Sequence, residues 1–376
     1  MASRPLAPSE FASSASGAAS PGGRPPGPPD DGSRGGGEAG PAVLYVGTAD
    51  SVEEDLARRY GIPFRAIQSG QIRGMAPWVA ARNLGKVALG VAQSFQVLRR
   101  FRPDVVLVTG GFVAAPVVWA AWSARVPVVI YLPDVEPGIA IRRLSRFATR
   151  VAVTFPEVAA HFPGKAVVTG YPVRRRFLEM AGRQAEARGA LGLEPDGRVL
   201  LVFGGSRGAR SINQALWAAL PALLETCQVV HITGSLDWPE VEAHVRRLPE
   251  ALRSRYRPYP YLHEEMPSAM AAADLVVARA GASTLGEFPA LGLPSVLVPY
   301  PYSGQHQDAN ADYLVQRQAA IKIPDSRLAT DLLPTVLALW ESPERLAAMA
   351  AAARRLARPD AAAQIGRVID ELVSRR

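Results

Sequence analysis

From Pro41 onward, short apolar runs alternate with longer stretches in which apolar positions recur every three or four residues. The short runs predict strands buried on both faces, and the longer pattern predicts amphipathic helices. In the first half, strands are predicted at 43–46, 63–67, 104–109, 127–132, 150–154 and 166–169. Helices are predicted between them at 51–60, 78–101, 114–124 and 139–147. Asp50 or Ser51 is placed to cap the first of these helices. The longest sets Val79, Leu84, Val87, Val91, Phe95 and Leu98 along one face. Residues 171–185 read as a linker leading into a helix, and the alternation resumes with Val199-Leu200-Leu201-Val202-Phe203. Further strands fall near 228–232, 274–278, 295–298 and 320–323, with helices between them and a last helix at about 361–374.

Such alternation implies α/β architecture with parallel sheets covered on both faces. Two βα blocks in tandem fit two domains, and 376 residues suffice for both. The expected division is 41–172 for the first and 173–358 for the second, with 359–376 forming the closing helix. Residues 1–40 contain almost no aliphatic or aromatic side chains, so they are expected to be a disordered low-complexity tail. They lack the continuous apolar core of a signal peptide. Val105–Ala124 carries no charge and is about as long as a minimal membrane span. Gly110-Gly111, Pro116 and the β-branched residues at its start fit a strand, a turn and a buried helix better.

Cys227 is the only cysteine, which excludes an internal disulfide and a four-thiolate metal site and fits a reducing cytoplasm. The net charge of +8 is uneven: residues 1–170 hold 18 Lys and Arg against 12 Asp and Glu. A basic first half points to an anionic partner. No nucleic-acid-binding motif accompanies it, so nucleic acid is not expected. Ile72, Met75, Trp78 and Val79 beside Arg73, Arg82 and Lys86 instead predict an apolar patch with a basic rim, suited to an anionic membrane surface.

Three segments carry chemistry. Phe203-Gly204-Gly205-Ser206-Arg207-Gly208-Ala209-Arg210 follows a buried strand and opens a helix. Glycines there let backbone N–H groups approach a pyrophosphate, and Ser206 adds a hydroxyl. The Lys-Ser/Thr ending of a Walker A loop is missing. Arg279-Ala280-Gly281-Ala282-Ser283-Thr284-Leu285-Gly286-Glu287 repeats the strand-to-helix arrangement, with Glu287 one turn inside the helix and placed to take both hydroxyls of a ribose. His306-Gln307-Asp308-Ala309-Asn310 follows Val298-Pro299-Tyr300-Pro301 and offers imidazole and amide groups suited to hexose hydroxyls.

In this order the three segments resemble the donor half of the MurG-type glycosyltransferases. The first half adds Tyr45-Val46-Gly47-Thr48, Tyr60-Gly61-Ile62-Pro63, Arg102-Pro103-Asp104-Val105-Val106, Gly110-Gly111-Phe112-Val113 and Gly170-Tyr171-Pro172-Val173-Arg174. The resemblance implies a GT-B fold of two facing Rossmann-like domains, whose last helix packs back on the first domain. It implies metal-independent, inverting transfer of N-acetylglucosamine from UDP-GlcNAc to an undecaprenyl-pyrophosphate muramyl-pentapeptide, on the cytoplasmic face of the plasma membrane. No cofactor is implied. By position, Arg174 approaches the donor, and Gly205, Ser206, Arg207 and Gly208 meet the diphosphate. His263 takes the uracil-facing backbone place, Ala282, Ser283, Thr284, Leu285 and Gly286 line the α-phosphate, and Glu287 holds the ribose. His306, Gln307 and Asn310 meet the sugar, and Gly110, Gly111, Phe112 and Asp134 lie on the acceptor side.

The chain departs from the family at two places. The family's opening strand and Gly-Gly-Thr-Gly-Gly-His loop have no counterpart, since Gly35-Gly36-Gly37 lies in the low-complexity tail. The family's His-Glu-Gln-Asn segment is replaced by Tyr131-Leu132-Pro133-Asp134, which leaves Asp134 and Glu136 as the carboxylates near the general-base position. An abrupt join at Val43 is expected if residues 1–40 are out-of-frame translation of a first strand–helix unit. Two other readings remain open: a related transferase acting on another lipid, such as a diacylglycerol, and a donor-binding protein impaired in catalysis.

Overall fold

The structure, a computed structural model, describes residues 42–70, 77–205, 208–302 and 306–375, with residues 77–82 placed as helix backbone only. The low-complexity tail, Ile72, Arg73, Met75, Ser206 and Arg207 lie outside the described residues.

Twelve described strands form three sheets, and all the pairings are parallel. In the N-terminal half, β1 (Tyr45–Gly47) pairs with β2 (Phe64–Ala66). Separately, β3 (Val106–Val108), β4 (Val128–Leu132), β5 (Arg150–Val153) and β6 (Ala166–Val168) follow one another in order. The C-terminal half holds β7 (Val199–Phe203), β8 (Gln228–Ile232), β9 (Tyr256–Tyr259), β10 (Leu275–Ala278), β11 (Ser295–Leu297) and β12 (Ala320–Lys322). Their order is β12-β11-β10-β7-β8-β9, so the direction of winding reverses between β7 and β10. Ligands of open α/β sheets bind at the carboxyl ends of strands flanking such a reversal.

β4 is buried along its whole length, as an apolar run covered on both faces should be, and β8 is equally buried although it carries Gln228 and His231. β9 has no counterpart among the predicted strands. Its sequence Tyr256-Arg257-Pro258-Tyr259 contains a proline, which an edge strand tolerates because one side needs no donor. The uncharged stretch after Val105 divides into β3, a turn with positive φ at Gly110 and Gly111, and helix Ala114–Ser123. Among the described residues no helix is long and apolar enough to cross a membrane.

The helix after β1 (Val52–Arg59) starts at Ser51, whose Oγ accepts the Glu54 N–H at 3.3 Å. The Glu54 carboxylate in turn accepts the Asp50 N–H, a reciprocal arrangement close to a capping box. Helix Pro77–Phe101 turns inward much of the face its apolar residues predict, with Leu98 buried and Val87, Val91 and Phe95 half-buried, and it departs from that face at Leu84. Leu84 is exposed, whereas Asn83, Gly90, Ser94 and Leu98 are buried. Gly90 lies so close to the loop after β2 that a Cβ there would stand 2.0 Å from the Gln68 carbonyl oxygen. Close backbone approach at Gly90 thus widens the buried face beyond its apolar residues.

Helix Ile139–Leu144 ends three residues before its predicted limit, in a turn closed by the Phe147 N–H on the Leu144 carbonyl. The predicted linker contains helix Arg175–Met180, whose Phe177 is completely buried, so the joint between the halves is packed. Helix Ala361–Ser374 sets Ile365, Val368 and Leu372 against Val129, Tyr131 and Ala152 of the β3–β6 sheet. Burial of three such aliphatic side chains contributes about 1.5–3 kcal/mol each.

Candidate functional site at the sheet reversal

β7 and β10 are direct neighbours, with Phe203 registered against Ala278. The glycine loop after β7 and the Arg279–Ser283 turn after β10 therefore leave the sheet side by side. They border a cavity of about 640 Å³ lined also by Ser211, Tyr300, Gln307 and Asp325. Gly208 is dictated twice: its φ is +77°, and a Cβ would meet the Thr233 carbonyl oxygen at 2.2 Å. The loop thus runs directly over the end of β8, which brings its backbone against the cavity. Helix Arg210–Thr226 follows, with no side-chain cap at Ala209.

A buried polar network holds this helix. His231 is fully buried, and its Nε2 lies 2.9 Å from Asn213 Oδ1. The Asn213 amide nitrogen donates to the Thr233 carbonyl and to Asp237, so its oxygen faces the imidazole and Nε2 must carry the proton. Nδ1 then accepts from the Tyr256 hydroxyl at 2.8 Å, and that oxygen accepts from Trp217 Nε1. Burial depresses the imidazole to about 3, so it is neutral at physiological pH. Arg210 closes the network on Asp237 at 2.6 Å.

Arg279, the first residue after β10, spans the floor of the site. It donates to Ser211 Oγ (2.8 Å), Asp325 (2.5 Å) and the carbonyls of Val298 and Pro299, and it lies over the Tyr300 ring. Neither Arg279, Ser211 and Asp325 nor the His231 network is among the sequence-predicted ligands. A cation at the end of a fully apolar strand was the available signal for Arg279.

Ser283 and Thr284 line the cavity, whereas Leu285 is buried in the core and offers only backbone. Gly286 has no room for a side chain because a Cβ would meet the Tyr171 ring at 2.4 Å. Glu287 is largely buried, with its carboxylate 3.7 Å from the exposed Arg174 guanidinium. Burial raises its pKa to about 7, against the lowering effect of Arg174. Burial, and after it the same carboxylate, pushes the Tyr171 hydroxyl up to about 12. His263 is exposed and packs against Tyr261.

Gln307 lines the cavity, and its Oε1 accepts the Tyr300 N–H. His306 faces Gly138 of the N-terminal half. Asn310 is completely buried and bonds to Asp134, Val135 and Ala280. Glu136 is exposed near that contact, and Gly110, Gly111 and exposed Phe112 follow β3. Among the described residues the chain thus brings Gly205, Gly208, Ser283, Thr284 and Gln307 to one cavity, with Glu287 in the helix after it paired to Arg174 at the start of helix Arg175–Met180.

The sequence matches the glycosyltransferase family 28 C-terminal domain over residues 199–365 and the family's N-terminal domain over residues 37–153. A UDP-N-acetylglucosamine–N-acetylmuramyl-(pentapeptide) pyrophosphoryl-undecaprenol N-acetylglucosamine transferase of Roseiflexus sp. (strain RS-1) is 42% identical, the match covering 89% of this chain and 84% of that protein. The transferase of the same name from Desulforudis audaxviator is also 42% identical, with 89% and 91% covered. Among solved structures, Acinetobacter baumannii MurG superposes with a TM-score of 0.68 at 28% identity over 88% of this chain and 90% of that one. A Neisseria meningitidis UDP-GlcNAc 2-epimerase shares the fold at 15% identity, with a TM-score of 0.61 over 89% and 91%.

Proposed function

The chain belongs to glycosyltransferase family 28, among the N-acetylglucosamine transferases of peptidoglycan synthesis, and from that premise we propose how its residues divide the reaction. The fold is GT-B, the donor is UDP-GlcNAc, and the acceptor is the lipid-linked muramyl-pentapeptide. In our reading residues 173–358 hold the donor and residues 41–172 receive the acceptor.

The observation that carries this reading is the cavity at the β7/β10 reversal, with backbone loops on two sides and Glu287 in the adjoining helix. Gly205 and Gly208 bring bare backbone to the cavity where the diphosphate would lie, and the start of helix Thr284–Leu291 adds positive helix-end potential there. Glu287 accepts both ribose hydroxyls, and Arg174 adds charge at the same place. Gln307 reaches the hexose from the start of its helix. The acceptor hydroxyl attacks the anomeric carbon as its proton passes to a base. The bond to the β-phosphate oxygen breaks, UDP leaves, and the configuration inverts. The loop and helix termini stabilise the charge that grows on the departing diphosphate.

Membrane docking belongs to the same proposal. Helix Ala114–Ser123 packs against helices Pro77–Phe101 and Ile139–Leu144, and together they expose Leu84, Leu89, Trp119, Trp122 and Ile139. Exposed Arg125, Arg142 and Arg143 surround them in sequence, which suits the anionic cytoplasmic face of the plasma membrane.

The test supplies labelled UDP-GlcNAc with the muramyl-pentapeptide lipid or with diacylglycerol. Label in the muramyl lipid, with release of UDP, is expected. Label only in diacylglycerol would establish the glycolipid reading, and UDP binding without any transfer would establish a donor-binding protein.

A further inference from the structure

Helix His306–Gln316 begins at the donor cavity and runs along the N-terminal half. It meets that half through His306 at Gly138, Asn310 at Asp134 and Val135, and Tyr313 stacked on Phe155 with centroids 3.8 Å apart. Just beyond its end, Arg317 lies over Tyr313 and pairs with Glu157. These positions are spaced i, i+4, i+7 and i+11, and at 100° per residue they occupy one narrow stripe. A single helix face therefore carries the contact, and Asn310 is its most deeply buried polar group.

The Asn310 amide is committed in every direction that a sugar reader would need. Nδ2 donates to Asp134 Oδ1 at 2.9 Å and to the Ala280 carbonyl at 3.1 Å, which uses both N–H groups. Oδ1 accepts the Val135 N–H at 3.1 Å. Ala280 lies in the turn after β10 that leads to Glu287, and Asp134 and Val135 lie in the loop after β4. One side chain thus ties the donor-binding turn to the acceptor-side loop, and wholly from within the protein. The Thr154 hydroxyl secures the same loop by donating to the Pro133 carbonyl at 2.9 Å.

We propose that Asn310 is a positioning residue that registers the acceptor half against the donor site, with the Asp134 carboxylate as its anchor. Neither group reads the sugar and neither moves the reaction's proton. The inference rests on the transferase reading for its kinetic consequences, but the latch itself is a statement about domain closure.

Asp134→Asn keeps an oxygen that accepts the Asn310 amide, and it cannot act as a base. This variant retains turnover within about threefold, whereas Asp134→Ala loses at least tenfold in kcat with UDP affinity unchanged. Asn310→Asp loses both donors and places two carboxylates together, so it is the most impaired. Adding Asp134→Asn restores an N–H···O contact between the two positions and recovers most of that loss. In small-angle scattering without substrate, Asn310→Asp is expanded, and both Asp134→Asn and the swapped pair match wild type. Three results would overturn the proposal: Asp134→Asn as inactive as Asp134→Ala, failure of the swap to rescue, or Asn310→Ala weakening UDP-GlcNAc tenfold while sparing UDP. If the wild-type protein transfers no sugar, the transferase reading fails, and the scattering comparison still decides the latch.

Discussion

Glu287→Gln should improve the fold and damage the site at once. Burial raises the Glu287 carboxyl from 4.5 to about 7 despite the Arg174 guanidinium 3.7 Å away. A difference of that size corresponds to about 3 kcal/mol against the ionised form in the folded chain. The sign follows from proton counting. Below pH 4.5 both states hold the proton, and the group contributes nothing. Between 4.5 and 7 the unfolded chain releases it first, so stability declines as pH rises, and above 7 the penalty is constant. Glutamine carries no such penalty. Its advantage over wild type in urea unfolding should be near zero at pH 4 and reach about 2–3 kcal/mol at pH 8. Binding moves the other way, because ribose hydroxyls donate to a carboxylate more strongly than to an amide. UDP affinity should fall by about 1.5–3 kcal/mol in calorimetry at pH 8. Wild-type affinity should also climb about tenfold from pH 6 to pH 8 relative to the variant, as the carboxyl ionises. A variant that binds UDP as wild type does would refute the ribose role, and one that is less stable at pH 8 than at pH 4 relative to wild type would refute the desolvation argument.

Gly208→Ala forces a side chain into the Thr233 carbonyl at positive φ, so UDP binding should drop at least tenfold while the far-UV circular dichroism is retained; normal affinity would show that the loop is not the diphosphate site. His231→Phe leaves Asn213 and Tyr256 without their buried partner and should cost about 2–4 kcal/mol at pH 7 in urea titration. Because the folded imidazole titrates near 3, wild type should lose stability as pH falls below 6.5, and the variant should lack that slope; equal slopes would mean that His231 is not held neutral. Trp119→Ala with Trp122→Ala should reduce co-sedimentation with anionic vesicles several-fold and leave UDP affinity unchanged, whereas unchanged sedimentation would remove this face as the docking surface.

Much of this architecture is legible in the sequence because buried parallel strands are nearly pure apolar runs. Val199–Phe203 and Gln228–Ile232 coincide with their predicted limits, and the glycine loop and the Ala-Ser-Thr turn announce themselves by following such runs. Periodicity fails where the burial is set by backbone proximity, as at Gly90, or where an edge position forgives Pro258. The polar groups that organise the site are harder to read. Asn213, His231 and Tyr256 lie on separate elements, and only the fold shows that one imidazole bridges them. Asn310 looks like a ligand in sequence because an amide near a cavity suits a hydroxyl, and its internal partners lie between 30 and 176 residues earlier in the chain.

The return of helix Ala361–Ser374 to the β3–β6 sheet has a consequence for synthesis on the ribosome. Val129, Tyr131 and Ala152 are made more than 200 residues before their cover is complete. At about 5–20 residues per second, the interval between Ala152 and Ala361 lasts roughly 10–40 s. For all of it but the time needed to add β6, one face of the parallel sheet stands bare, so the nascent chain offers a ready site for holdase chaperones. Any carboxy-terminal fusion that delays docking of Ile365, Val368 and Leu372 lengthens that exposure. Loss of soluble yield in such fusions would then arise in the half of the molecule most distant in sequence from the added tag.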